Sequence, residues 1–72
     1  MKIILTIFLC SFTSGKCLQP YQVPIKYNDM YDCLNAGYIE SANLAKEIGR
    51  DEINREGIYI RFSCREENKI TT

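Results

Sequence analysis

The opening run, Met1-Lys-Ile-Ile-Leu-Thr-Ile-Phe-Leu-Cys10, constrains this chain more than anything after it. Ile3 to Cys10 is apolar at every position except Thr6. Lys2 precedes it, and Ser11, Thr13, Ser14 and Gly15 follow. A positive residue, a short apolar stretch and then small polar residues is the order of a secretory signal, and cleavage after Gly15 would put Thr13 and Gly15 at the small-residue positions. The stretch is shorter than the roughly 20 residues needed to cross a bilayer, so no stable span remains after processing and an anchored protein is disfavoured. The competing reading is a buried β-strand, because short runs rich in Ile, Leu and Phe also build sheet cores. The sequence thus predicts that residues 1–15 are a leader, with a retained strand as the alternative.

Cysteine parity bears on the same choice. The chain has Cys10, Cys17, Cys33 and Cys64, an even set; without residues 1–15 three are left. An odd cysteine in a secreted protein implies a free thiol or an intermolecular bridge. A 72-residue chain makes one domain at most, and a core of that size supplies only about 3–5 kcal/mol, so a covalent staple or self-association is expected.

Residues 16–27 read as an extended arm. Pro20 and Pro24 lack amide donors and push the preceding residues out of helical geometry, as in an edge strand or a strap over the core. A helix follows. Asn28 or Asp29 can cap it, Met30, Leu34, Gly37, Ser41, Leu44 and Ile48 recur at three- and four-residue steps, and Gly49 stops it. Tyr27, Tyr31, Tyr38, Ala42 and Ala45 widen that stripe, which makes the tyrosines core and rim. Gly37 and Ser41 on the stripe leave room for a close backbone approach. Asp51 can cap one further turn, ended by Gly57. Ile58–Glu66 alternates as a half-buried strand, with Ile58, Ile60, Phe62 and Cys64 on the inward face and Tyr59, Arg61, Ser63 and Arg65 on the outward one. Residues 28–66 form the helix–strand core, and the polar residues 67–72 read as a disordered tail.

The predicted fold class is small α+β, one central amphipathic helix on a short sheet containing the C-terminal strand, or β-α-β if the first segment is retained. In it, a strand running back along the helix brings Cys64 level with Cys33, since about 22 Å of helix and about 20 Å of strand match in length. A Cys33–Cys64 disulfide is therefore expected in an oxidising compartment. Cys17 is the competitor for Cys33, and Cys10 is a partner for Cys17 if the first segment stays.

Most chemistry is excluded by composition. There is no histidine, hence no imidazole base or metal ligand, and no cysteine pair has zinc spacing. No phosphate-cradling glycine loop occurs. The expectation is a non-enzyme with no catalytic residues, no metal and no cofactor. Lys plus Arg equals Asp plus Glu at nine each, so no basic patch suggests nucleic acid.

The runs Asn28-Asp-Met-Tyr-Asp-Cys33, Ala36-Gly-Tyr38, Glu47-Ile-Gly-Arg50, Glu52-Ile-Asn54 and Ile58-Tyr-Ile-Arg-Phe-Ser-Cys64-Arg-Glu66 resemble small proteins of marine bacteriophages and ocean metagenomes. The resemblance covers nearly the whole chain and implies viral origin without implying an activity. The functional expectation is a small exported or periplasmic interaction protein with an unidentified protein partner. Tyr59, Arg61 and Arg65 form its candidate contact face, because Tyr and Arg are enriched at interfaces. The alternative is an accessory or virion protein of the host cytoplasm that forms an oligomeric β-α-β unit.

Overall fold

The computed structural model describes residues 2–67. Five elements follow one another: β1 (Ile3–Ser11), β2 (Tyr21–Tyr27), α1 (Met30–Ile48), α2 (Arg50–Glu56) and β3 (Ile58–Glu66). The strands form one antiparallel sheet in the order β2-β1-β3. The fold is small α+β, as the sequence predicts, with the opening segment as the central strand.

β1 takes that place because its odd positions are large and apolar. Ile3, Leu5 and Ile7 are buried and, with Val23 and Cys33, make the core. The β1–β3 register sets Leu5 opposite Cys64, Ile7 opposite Phe62 and Leu9 opposite Ile60 on the face that α1 covers. The even positions carry Ile4, Thr6 and Phe8 to the other face, opposite Arg65, Ser63 and Arg61. The division of β3 into inward Ile58, Ile60, Phe62, Cys64 and outward Tyr59, Arg61, Ser63, Arg65 is thus as the alternation implies.

The arm is partly sheet. β2 pairs with β1 as an edge strand through Tyr27–Ile3 and Lys26–Ile4, then slips, so that Val23, Pro24 and Ile25 together face Leu5 before pairing resumes at Gln22–Thr6. Proline cannot donate to a ladder and is confined to edges and bulges. Pro24 sits at this bulge.

In α1, Asp29 is the N-cap, and its Oδ1 accepts from the Asp32 amide at 2.8 Å. Gly49 ends the helix at φ 99°, its N–H donating to the Ala45 carbonyl. The buried stripe differs from the expected one. Cys33 and Gly37 are buried, and Ala36 and Leu44 pack on the core, while Met30 and Leu34 lie on a flank, 43% and 42% exposed. Tyr31 and Tyr38 are mostly exposed, and Tyr27 belongs to β2. Cys33, bonded to Cys64, faces the sheet, and Met30, Leu34, Tyr38 and Tyr31 lie about 60° to 160° further round the helix, turned away from it. Gly37 then lies against Phe62, where a Cβ would fall 2.3 Å from the ring. The close approach at Gly37 is thus made by a side-chain ring and not by the backbone expected there.

α2 starts at Gly49 without a side-chain cap; Asp51 sits in its first turn rather than capping it. Gly57 closes it in the left-handed region at φ 64°. Glu67 donates its N–H to the Lys2 carbonyl and pairs with Lys26 at 2.7 Å. The remainder of the expected tail, residues 68–72, lies outside the described residues.

Candidate interaction surface and the two disulfides

All four cysteines are paired. Cys33–Cys64 joins the start of α1 to the end of β3, as the matched lengths of helix and strand predict. Cys17 does not compete for Cys33; it bonds Cys10. The reason is local. Leu18 N–H donates to the Leu9 carbonyl and Ser11 N–H to the Lys16 carbonyl, both at 2.9 Å, so the chain doubles back on β1 and sets Cys17 beside Cys10. One bridge closes a separation of 31 residues and the other a separation of seven.

The molecule is two layers deep, 15 Å along its shortest axis, with both helices on one face of the sheet. No element among the described residues covers the other face. Tyr59, Arg61 and Arg65 stand there together, as the sequence implies. Phe8 lies opposite Arg61, Ile4 opposite Arg65, and Phe12 packs on Tyr59 with ring centroids 4.6 Å apart. These three residues were not legible as part of the face. They belong to a segment that reads as a leader, and only the β1–β3 register places them.

Two shallow depressions lie among the described residues of this face. One of about 350 Å³ lies between Phe8, the Cys10–Cys17 bridge, Arg61 and Ser63; the other, of about 200 Å³, between Ile4, Thr6, Gln22, Arg65 and Glu66. Each has one arginine at its rim. Neither arginine has an ion-pair partner among the described residues, whereas Lys26 is held by Glu67 and Arg55 by Glu52 and Glu56. Charge is also divided by element. Residues 29–56, the helices, carry seven acidic and three basic side chains, −4; the rest of the chain carries two acidic and six basic ones, +4. The three strands themselves carry Lys26, Arg61 and Arg65 against Glu66, +2, so the zero net charge of the composition conceals a positive sheet and a negative helical layer.

A cleft of about 420 Å³ near α2 is lined by Leu9, Leu18, Ile58, Lys16, Glu52 and Glu56. Its two carboxylates are both engaged by Arg55, which leaves no free acid–base pair there. Among the described residues no group of three His, Cys, Asp or Glu side chains is placed to hold a metal, and no helix is long and apolar enough to cross a membrane. No protein-family model, curated protein or solved structure matches the chain.

Proposed function

We propose that this is a small exported, non-enzymatic interaction protein that keeps its first segment and docks an acidic protein surface on the open face of its sheet. The observation that carries the reading is the pair Arg61 and Arg65, lacking ion-pair partners among the described residues, beside Phe8 and Tyr59 on that uncovered face. Arginine and aromatic side chains are the types enriched where proteins meet, and unpaired guanidinium groups are ready to take carboxylates in bidentate geometry. Two disulfides in 72 residues suit an oxidising, extracellular-type compartment such as the periplasm or the cell exterior.

Packing supports retention. Removal of residues 1–15 would take the strand between β2 and β3, three of the five core residues and the partner of Cys17. The export reading therefore stands without the cleavage that the leader pattern suggests.

The test is capture of a partner from the compartment that holds the protein, using the wild type and the Arg61→Glu/Arg65→Glu variant. The reading expects an acidic protein retained by the wild type, at least about tenfold weaker on the variant. Equal retention by both, with the variant's circular dichroism unchanged, would remove the open face as the contact surface.

A further inference from the structure

The exposed flank of α1 and the outer edge of β3 point to a second copy of this chain. β3 is an edge strand of nine residues with no proline and no bulge, whereas the opposite edge, β2, is blunted by Pro24, its slip in register and Lys26. The direction of the β3 amides follows from two hydrogen bonds. Phe12 N–H donates to Gly57 and Glu67 N–H to Lys2, in the same register as the β1–β3 ladder. Hydrogen-bonded and non-hydrogen-bonded pairs alternate along antiparallel strands. Odd-numbered residues of β3 therefore face β1, and Ile58, Ile60, Phe62, Cys64 and Glu66 turn their N–H and C=O groups to the open edge.

We infer that two copies join β3 to β3 about a two-fold axis at Phe62, forming a six-stranded sheet. Antiparallel self-pairing centred on Phe62 is the register that pairs all five outward residues of both chains, Ile58 with Glu66 and Ile60 with Cys64. It sets Arg61 opposite Ser63 and Arg65 opposite Tyr59, so no like charges stand directly opposed and the second pair brings a cation over a ring. An axis normal to the sheet keeps both α1 helices on one face. With α1 packed on β1 and β3, the helix axes fall about two strand spacings apart, roughly 10 Å, the distance of packed helices.

The helix sequence fits that geometry. Tyr38 packs edge-on against Phe62, ring centroids 5.0 Å apart, and so sits at the axis. Antiparallel helices crossing there bring Tyr31 against Ala45 of the second copy and Leu34 against Ala42, large side chains onto small ones. This explains why Tyr31, Tyr38 and Leu34 are 74%, 68% and 42% exposed in the single chain. The inference deepens the interaction-protein reading by naming one partner on a separate surface, and the open face would run unbroken across the dimer.

The test is the mass of the oxidised full chain in solution, by sedimentation equilibrium, together with amide exchange. The expected species is a dimer of the 8.3 kDa chain. In it the amides of Ile58, Ile60, Phe62 and Cys64 gain protection as concentration rises, while those of Tyr59, Arg61 and Ser63 are protected throughout. Ala42→Glu and Tyr31→Glu, both at exposed positions, should each weaken the dimer at least about tenfold with the helix content unchanged. Arg61→Glu should leave the dimer intact, so the open-face reading can fail independently. A wild-type monomer at millimolar concentration, a dimer insensitive to both helix variants, or one broken by Arg61→Glu would each overturn the inference.

Discussion

Gly37 has no room for a methyl group. Its Cβ would meet the Phe62 ring at 2.3 to 2.7 Å, and an aromatic ring wedged between a helix and a strand yields only by moving the helix. Gly37→Ala should cost about 1–3 kcal/mol despite its better helix propensity, read as a lower denaturant midpoint. The double variant Gly37→Ala/Phe62→Leu should recover part of that loss; no recovery would place the strain elsewhere. Ser41, one turn on, presents the opposite case. Its hydroxyl oxygen is buried and makes no hydrogen bond among the described residues. Ser41→Ala removes an unsatisfied group and should stabilise by about 1 kcal/mol, and a destabilised variant would show that the hydroxyl has a partner. The close approach at Gly37 was legible in the sequence as a small residue on an apolar stripe. The ring that fills the space was not, because only the packing of α1 on β3 sets Gly37 over Phe62.

The elements divide between two kinds of covalent support. Cys33–Cys64 ties helix to strand across 31 residues, which in the chain-entropy view is worth about 3–4 kcal/mol. Cys10–Cys17 closes a seven-residue separation and is worth about 2.5 kcal/mol by the same relation. Cys33→Ala should therefore lower stability by more than Cys17→Ala in chemical denaturation, the more so because Cys33 is fully buried while Cys17 is exposed. The reverse order would mean that the hairpin at residues 9–18 organises the fold. α1, its Asp29 cap, the Gly49 stop and the faces of β3 follow from periodicity and turn chemistry in the sequence. The slip in β2 does not, since it depends on which strand Pro24 lies beside. Nor does the flank of α1 left uncovered: apolar spacing marks a wide stripe, and tertiary packing decides which part of it is buried.

The whole molecule rests on a segment that carries two signals at once. An apolar run between Lys2 and a cluster of small residues satisfies the pattern of an export leader, and the same run satisfies the demands of a central strand. Local composition cannot separate these, because both require Ile, Leu and Phe in succession. What separates them is non-local. Alternate positions of Ile3–Ser11 match the inward and outward faces of Ile58–Glu66 residue for residue, and Cys10 meets Cys17. That register is the observation that favours the strand. A chain beginning at Lys16 should show no cooperative unfolding transition, whereas the full chain should unfold in one step. The most direct test is the intact mass of the protein taken from its native compartment, without reductant, after treatment with a thiol-alkylating reagent. The mass should include Ile3–Ser11 and no added alkyl group, and a proteolytic peptide should keep Cys10 and Cys17 linked. A mass lacking residues 1–15, with one alkyl group on Cys17, would contradict it.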